Sequence, residues 1–453
     1  MRVMWIVGRM PTDAAEAIGV PRPNRGGWQD ALLGCMRAQT RTQLLVAYAG
    51  SEPGRRMSLG GVELADVGPL EPAGRIARVA ARWQARGGGP AVLDECVRLV
   101  GEWAPDVIHV HGTESGLGLI ADRVDAPVLV SIQGVLSVYE AAARDHASAR
   151  LSSLSSPSAY MRGLSPWHLA RRMHTMAELE RLMLRKVCCV VGRTAFDERV
   201  AAVLAPQASY LHVGEVLREA FYGPRWEGRP SRGSNAPVLC VSGTEYGRKG
   251  VDTAIEAVKI LSMSGRDVRL NIFGVEAEST TGGLASAHAK SLGIAGMVHL
   301  SGSLTASEVV AGLLGTDVFM LPSRADNSPN TLCEAMMLGV PCVASTAGGI
   351  PSLATDGEDA LLVPPGDAYS LAGAVSSVLA DPELATRLSK AAHERACARH
   401  DPATVTQQLL EAYAATTARW QRLQGADRPP DPATPSGRRS RSEGPAERHG
   451  PGD

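Results

Sequence analysis

Short apolar runs alternate with amphipathic segments along most of the chain. The first runs short enough for buried strands lie at residues 3–7, 44–48, 107–110, 128–132, 187–191 and 210–213. Segments with helical spacing of apolar positions fall between them, notably at residues 28–39, 92–103, 169–185 and 194–204. This alternation predicts parallel strands that are joined by right-handed helical crossovers.

A second alternating series follows a stretch that has no apolar periodicity. Residues 223–237 are rich in Gly, Pro, Arg and Ser, which indicates an interdomain linker. Further strands are predicted at residues 238–241, 268–273, 298–300, 317–321, 342–344 and 361–363. The fold class is therefore α/β, with two Rossmann-like doubly wound domains, residues 1–222 and 238–402, facing a central cleft. Ligands of such sheets bind at the carboxyl ends of the strands.

The last part of the chain divides into a helix and a polar tail. Residues 403–424 have apolar positions near helical spacing and predict a helix with one buried face. Residues 425–453 contain almost no large apolar side chains, which predicts a disordered tail. Another segment, residues 162–186, is basic and apolar. It suits either a first-domain helix with one face in the core or a surface that contacts anionic lipid.

Composition limits the class of protein without identifying it. The chain has 453 residues, of which 44% are hydrophobic and 21% are charged, as in globular proteins with a full core. Its formal net charge of -1 gives no overall attraction to nucleic acid, so no nucleic-acid partner is expected. The eight cysteines form no C-x-x-C pair, which favours small core residues in a reducing compartment. We expect a cytoplasmic protein without a spanning helix, because no apolar run approaches the length that one needs.

The segment 321–351 combines an acid, a helix start, a second acid and a glycine pair between two apolar runs. Ser328 as the N-cap residue and Pro329 in the first turn predict the start of a helix that ends near Gly339. The unpaired amides of its first turn, together with the helix dipole, form an anion site. Asp326 and Glu334 flank that site, where carboxylates suit sugar hydroxyls rather than phosphate. An ordinary strand–loop–helix with solvated acids stays open as the alternative.

The same segment resembles the donor-site signature of glycosyltransferase family 4, retaining enzymes of the GT-B fold. The match comprises Asp326, Glu334 and Ala335, Gly339, Pro341, Gly348 and Gly349. The family usually has Glu where this chain has Asp326, and often has an acid where this chain has Ser352. Segments elsewhere favour a bacterial polysaccharide-type branch. The resemblance implies transfer of a sugar from a nucleotide-sugar donor to a hydroxyl acceptor, with no cofactor and no metal required. The chain also contains no Asp-x-Asp or H-E-x-x-H motif.

The resemblance also implies that the helix at residues 403–424 returns to complete the first domain, and it assigns site residues. In the second domain it implies that Glu334 binds the ribose, that Lys249 and the helix start bind the diphosphate, and that Asp326 binds the transferred sugar. Thr244 stands where the family has a diphosphate-binding Arg, and Arg248 is the candidate substitute. In the first domain His111 lies near the reacting sugar. The catalytic candidates are thus His111, Lys249 and Asp326, and the donor-binding candidates are Gly26, Gly27, Thr244, Arg248, Lys249, Asp326, Pro329, Asn330, Thr331, Leu332 and Glu334.

Two further segments have weaker interpretations. Residues 131–137 follow a strand and are candidates for the acceptor side of the cleft. Arg193 and Asp197 are expected to cap the helix that follows them. The acceptor is expected to be a carbohydrate, a lipid-linked molecule or a small molecule, and peripheral contact with the inner face of the plasma membrane fits a lipid-linked one. A non-catalytic nucleotide-sugar-binding protein and a nucleotide-sugar epimerase of the same fold remain alternatives.

Overall fold

The computed structural model describes residues 1–20, 27–71, 74–84, 89–144, 161, 166–228, 236–243 and 245–426. Several sequence-based expectations lie wholly or partly outside these ranges: Gly26, residues 162–165 of the basic segment, residues 229–235 of the predicted linker, Thr244 and the tail from residue 427 onward. Within the described ranges the chain forms an eight-stranded sheet followed by a six-stranded sheet. This confirms the α/β class and the two doubly wound domains that the alternating pattern predicts.

The first sheet has the order β3-β4-β2-β1-β5-β6-β7-β8. Every neighbouring pair is parallel except β3 with β4, which are antiparallel. Its strands are β1 Arg2–Val7, β2 Gln43–Tyr48, β3 Arg56–Leu59, β4 Val62–Asp66, β5 Val107–His111, β6 Val128–Ser131, β7 Cys189–Gly192 and β8 Ser209–His212.

The second sheet has the order β11-β10-β9-β12-β13-β14 and is parallel throughout. Numbered from its own first strand, that order is 3-2-1-4-5-6, the usual order of a dinucleotide-binding fold. Its strands are β9 Val238–Ser242, β10 Arg269–Phe273, β11 Val298–Leu300, β12 Val318–Leu321, β13 Cys342–Ser345 and β14 Leu361–Val363.

Helices cover both faces of each sheet, as parallel sheets require. In the first domain they are α1 Thr12–Ala17, α2 Trp28–Arg37, α3 Arg75–Gln84, α4 Pro90–Trp103, α5 Leu136–Arg144, α6 Pro166–Leu184 and α7 Ala195–Leu204. In the second they are α8 Val251–Met263, α9 Thr280–Ser291, α10 Ala306–Leu314, α11 Asn330–Met337, α12 Ala368–Ala380 and α13 Pro382–Arg399, before the last helix, α14 Pro402–Ala426.

The hairpin formed by β3 and β4 differs from the expected purely parallel first sheet. Its two strands are joined at Gly60 and Gly61, both of which have positive φ. The two glycines make the reversal possible because they adopt left-handed backbone conformations without a Cβ clash. The sequence pattern missed this hairpin because β3 is short and alternates between exposed and half-buried positions, without an apolar run.

The last helix, α14, packs on the first domain rather than on the second. It contacts α2, β5, β6 and β8. The Tyr413 hydroxyl accepts a hydrogen bond from the Trp5 indole at 2.7 Å and lies 2.9 Å from Nδ1 of His109. Both aromatic side chains are fully buried, so this contact fixes the helix against the middle of the first sheet.

The order in which successive strands are added to the sheet reverses between β1 and β5 in the first sheet and between β9 and β12 in the second, although both pairs are parallel. Loops that leave the carboxyl ends of such neighbouring strands separate and form a crevice. In the first domain this crevice lies between the segment before α2 and His111, and in the second it lies between Lys249 and Asp326. The fold therefore presents most of the predicted site residues from two facing crevices.

None of the eight cysteines, all of which are described, forms a disulfide. Most are buried, as expected for core residues, whereas Cys397 is exposed on α13. Within the described ranges, the helices are too short or too polar to cross a lipid bilayer.

Candidate active site between the two domains

A cavity of about 430 Å³ lies between the two domains. The side chains around it come from the first domain on one side and from the loops after β9 and β12 on the other. They are Glu114, Gln133, Gly134, Leu136, Tyr139, Met173, Glu245, Arg248, Lys249, Asp326, Asn327, Ser328, Pro329, Asn330 and Thr331. Six of the predicted donor residues therefore share one wall: Arg248, Lys249, Asp326, Pro329, Asn330 and Thr331.

An ion pair occupies the second-domain wall of this cavity. Lys249 Nζ lies 2.6 Å from Asp326 Oδ2, and the Ser323 hydroxyl donates to the same oxygen at 3.2 Å. Asp326 is 5% exposed, so its carboxylate has little water to replace these partners. The contacts leave Asp326 Oδ1 as an acceptor and leave the Lys249 ammonium with donors for an anion.

Helix α11 begins one residue later than the sequence indicates. Its N-cap residue is Pro329, with φ of -72°, and no described side chain caps it. The expectation that Ser328 is the cap is wrong, because Pro329 itself has an extended backbone and the helical hydrogen bonds start beyond it. The uncapped first-turn amides stay available beside Asn330 and Thr331 at the cavity. Leu332, by contrast, is fully buried in the core.

Glu334 has a partner that the sequence motif did not reveal. Arg218 donates to both of its carboxylate oxygens, from Nε at 2.8 Å and from Nη2 at 2.8 Å. Glu334 is 4% exposed, and burial raises the pKa of its carboxyl group against the lowering effect of Arg218. Each carboxylate oxygen has a second lone pair, so the arrangement leaves acceptor capacity for ligand hydroxyls.

Arg248 lies at the boundary between the domains. Its guanidinium sits 4.5 Å from the centre of the Tyr139 ring and donates from Nη1 to the Ala325 carbonyl at 3.1 Å. Its other nitrogens contact the Glu245 carboxylate. Arg248 thus lies next to Lys249 on the cavity wall, where a substitute for the diphosphate-binding Arg has to lie. Glu245 and Ala325, however, already accept hydrogen bonds from all three of its nitrogens.

The glycine pair at Gly348 and Gly349 supports the Asp326 loop directly. The Gly349 amide donates to the Asp326 carbonyl at 3.0 Å. Gly348 has φ of +54°, and a Cβ atom there would collide with the same carbonyl oxygen, while one at Gly349 would collide with the Asn327 carbonyl. Both glycines are therefore required for close backbone packing that positions the predicted sugar-binding acid.

Asn327 links the two domains beside the cavity. Its side-chain oxygen accepts from the Tyr139 hydroxyl at 3.3 Å, and its amide nitrogen donates to Asp197 at 3.3 Å. A second link runs from the Ala195 amide to the Ser352 hydroxyl at 3.1 Å. Ser352 stands where the resemblance leads us to expect an acid, and here it joins the domains. These long-range links could not be read from the sequence.

His111 occupies the carboxyl end of β5, buried among aromatic rings. Its ring centre lies 4.5 Å from that of Trp5 and 5.6 Å from that of Trp28, the first residue of α2. Neither ring nitrogen has a hydrogen-bond partner among the described residues. Burial, with smaller contributions from His109 and Arg193, holds the pKa of His111 well below its ordinary value. The side chain is therefore neutral and offers one donor and one acceptor.

Gly27 begins α2 from the first-domain side. Its amide donates to Asp30 Oδ2 at 3.1 Å, and the same carboxylate accepts from the Thr12 hydroxyl at 2.9 Å. The Asp30 side chain thus fixes the start of α2. Gly27 and His111 do not line the 430 Å³ cavity, and they lie instead around Trp28.

A buried glutamate holds the first-domain wall in place. Glu180, on α6, accepts hydrogen bonds from the Leu136 amide at 3.0 Å and the Ser137 amide at 2.8 Å. It also accepts from the Thr113 hydroxyl at 2.7 Å. Glu180 thereby fixes the segment 133–137, which the sequence places on the acceptor side. Glu114 adjoins it, and burial raises the pKa of the Glu114 carboxyl group.

The described residues contain no cluster of three or more His, Cys, Asp or Glu side chains arranged to hold a metal ion.

Comparison with known proteins adds a family match to this geometry. Residues 225–395 match the family described as "Glycosyl transferases group 1". The chain is 28% identical over 304 residues to 2-deoxystreptamine glucosyltransferase from Streptomyces kanamyceticus, covering 64% of this chain and 73% of that protein. The family match spans the second domain, which holds Lys249, Asp326 and Glu334.

Solved structures show the fold. Sucrose-phosphate synthase from Thermosynechococcus elongatus superposes with a TM-score of 0.69 at 17% identity, covering 94% of this chain and 100% of that one. HepE from Anabaena, in complex with UDP-glucose, superposes with a TM-score of 0.61 at 15% identity, covering 92% and 100%. With the family match and the glucosyltransferase relative, these comparisons identify the chain as a glycosyltransferase enzyme with the GT-B fold.

Proposed function

We propose that this protein is a retaining glycosyltransferase that moves a sugar from a nucleotide-sugar donor to a hydroxyl acceptor. The observation that carries the proposal is the shared cavity wall of Lys249, Asp326 and the uncapped start of α11. This wall combines a cation, free helix amides and a carboxylate that can accept hydrogen bonds from hydroxyls, all within one cavity. A diphosphate needs the first two groups, and a sugar needs the third.

The second domain holds the donor in this proposal. Lys249, Asn330 and Thr331 bind the diphosphate, and Asp326 accepts hydrogen bonds from the transferred sugar. Glu334 accepts hydrogen bonds from the ribose hydroxyls with the carboxylate lone pairs that Arg218 does not use. The solved structure of HepE with UDP-glucose supports a donor of this chemical class. Gly26 and Thr244 stay candidates for donor binding on the basis of the resemblance. Arg248 stays the candidate for the cation that replaces the missing diphosphate-binding Arg.

The first domain holds the acceptor. Glu114, Gln133 and Tyr139 face the donor wall across the cavity. The acceptor oxygen attacks the anomeric carbon from the face that the diphosphate leaves, and the bond to the leaving oxygen breaks. The departing phosphate oxygen takes the electron pair and then the acceptor proton, so the anomeric configuration is retained. His111, neutral at the end of β5, orients a hydroxyl. Residues already present stabilise the leaving group, so no metal is required.

The biological setting proposed is cytoplasmic synthesis of a polysaccharide, glycolipid or glycoconjugate, with peripheral contact at the inner face of the plasma membrane. Two exposed apolar side chains support a lipid contact: Trp167 on α6 is 54% exposed, and Ile76 on α3, a helix that contacts α6, is 86% exposed. The Arg171 guanidinium lies 5.6 Å from the Trp167 ring centre. Such a surface suits anionic headgroups.

Vesicle sedimentation tests that contact. Vesicles of phosphatidylglycerol should retain the protein and vesicles of phosphatidylcholine should not, while Trp167→Ala with Arg171→Glu should abolish retention. Equal retention of the double variant would exclude this surface.

A thermal-stability screen tests the donor assignment. Purified protein is heated with UDP-, GDP- and ADP-sugars, and a ligand of the native state raises the unfolding temperature. We expect one nucleotide class to stabilise the protein, and Lys249→Ala to reduce that shift. Product analysis then separates the alternatives, because an epimerase changes the donor without an acceptor, and a non-catalytic binding protein releases no nucleoside diphosphate.

A further inference from the structure

Arg193 has a position that helix capping does not explain. It follows β7, and Asp197 caps the next helix by accepting from the Arg193 amide at 2.9 Å and the Thr194 amide at 3.1 Å. The Arg193 side chain takes no part in that cap. Its guanidinium lies 4.6 Å from the centre of the Trp28 ring, and its Nη1 lies 3.0 Å from Glu215 Oε2. The expectation that Arg193 caps α7 is therefore wrong for its side chain.

The surroundings place this arginine where the two domains face each other. Trp28 is the first residue of α2, and its ring neighbours His111, whose two ring nitrogens have no described partner. Burial raises the pKa of the Glu215 carboxyl group, and Arg193 and, to a smaller extent, Asn330, the first residue of α11, oppose that rise. Arg193 thus lies near the starts of two helices, one from each domain, and helix starts attract anions.

Arg193 also has more donors to offer than the other arginines near the cleft. Arg218 uses two nitrogens on Glu334, and Arg248 uses all three on Glu245 and Ala325. Among the described contacts, Arg193 meets Glu215 through Nη1. A guanidinium has five N–H donors, so Nε and Nη2 can bind a planar array of phosphate oxygens. The Trp28 ring packs against the guanidinium, and Arg193 is only 6% exposed. The side chain therefore has little freedom to move.

We propose that Arg193 supplies, from the first domain, the cation that binds the donor diphosphate. This inference rests on the proposed function and goes beyond it, because Thr244 leaves the second domain without the arginine that the resemblance implies. When the bond from the anomeric carbon to the leaving oxygen breaks, the electron pair stays on the diphosphate. Arg193 then stabilises the added charge opposite Lys249.

The test measures preference for a diphosphate over a monophosphate. UDP, GDP and ADP are titrated calorimetrically against the full chain, and the tightest is compared with its monophosphate. The wild type should prefer the diphosphate by at least about tenfold, because charge-assisted phosphate contacts have that magnitude. Arg193→Met should lose most of this preference, because only Lys249 and the start of α11 then bind the diphosphate, while its affinity for the monophosphate stays unchanged. Arg193→Lys, which keeps the charge for Glu215, should lose part of it.

Two controls separate ligand binding from structure. Glu215→Gln removes the buried ion pair but keeps the arginine, and it should keep the preference. Arg199→Met, at an exposed position on α7, should also keep it. An unchanged preference for the diphosphate in both Arg193 variants overturns the inference. A loss of preference in Glu215→Gln as large as that in Arg193→Met also overturns it, because the effect would then come from breaking the Arg193–Glu215 ion pair. If the wild type binds none of the three diphosphates, the proposed function fails as well.

Discussion

Lys249 Nζ and Asp326 Oδ2 lie 2.6 Å apart, joining two loops of the second domain that are 77 residues apart in sequence. Each loop follows one of the two strands where the sheet order reverses. The pair orients the Asp326 carboxylate, because Ser323 and Lys249 both contact Oδ2 and leave Oδ1 for a ligand. The Lys249 side chain is 19% exposed, so it also remains accessible from the cavity.

Lys249→Ala should lower kcat/KM for sugar transfer by at least about tenfold, since it removes a cation from the leaving group and a partner from Asp326. Steady-state release of nucleoside diphosphate measures the effect. Lys390→Ala is the matched control, because the Lys390 side chain is 72% exposed on α13, and it should leave kcat/KM unchanged. Near-normal turnover of Lys249→Ala would remove that residue from the site.

Glu334→Ala should lower kcat/KM by at least about tenfold and also destabilise the fold. It leaves Arg218 without its bidentate partner, and loss of one member of a buried pair costs about 3 kcal/mol. Urea unfolding measures that loss. Combining Arg218→Met with Glu334→Ala should recover much of the stability but none of the activity. Recovery of activity in the double variant would show that Glu334 serves only the ion pair.

Gly348→Ala should damage the site through backbone geometry. Alanine is strained at φ of +54°, and its Cβ would collide with the Asp326 carbonyl, so the Asp326 loop must move. We expect a higher KM for the donor and a destabilisation larger than that of Gly357→Ala. Gly357 has φ of +74° and no described atom within 4 Å of an added Cβ, so its variant carries the strain without the collision. Equal effects in the two variants would contradict this account.

His111 should contribute to acid sensitivity. Its pKa in the folded protein is well below the ordinary value, so only the unfolded chain gains its proton as the pH falls through about 6.5. The folded state therefore loses stability below that pH. Glu215 affects the pH dependence of stability in the opposite direction. Burial raises its pKa to about 7, so the folded state takes up this proton at a higher pH than the unfolded chain does.

Urea unfolding between pH 6.5 and pH 5 checks this difference. His111→Asn should reduce the acid loss by about 1.4 kcal/mol per pH unit relative to the wild type, the amount for one proton. The exposed His299 is the control, and His299→Asn should leave the pH dependence unchanged. The same pH dependence in wild type and His111→Asn would show that His111 titrates normally in the folded state.

Local patterns predict every strand except those of the β3–β4 hairpin, and also the position of the main loop, because buried parallel strands are apolar runs with recognisable ends. The run ending at Leu321 is β12, and the acid five residues later faces the cavity. The partners of the acids could not be predicted. Arg218 precedes Glu334 by 116 residues, and nothing in the local sequence of either indicates the other.

Turn geometry and domain contacts were equally inaccessible to sequence patterns. Ser328 precedes a proline, as many N-cap residues do, yet Pro329 itself is the cap because its backbone is extended. The sequence predicts that Arg193 and Asp197 cap α7, whereas the packing of Trp28 and Glu215 determines where the Arg193 side chain goes. Such features depend on tertiary contacts between segments that are distant in the chain.

The most direct test of the central claim is acceptor-dependent release of nucleoside diphosphate from UDP-, GDP- and ADP-sugars, measured with a mixed panel of carbohydrate and lipid-linked acceptors. The account predicts that one donor class supports release in the wild type, that Lys249→Ala slows it at least about tenfold, and that the new glycosidic bond keeps the donor's anomeric configuration. Full activity of Lys249→Ala, or a product of inverted configuration, would contradict it.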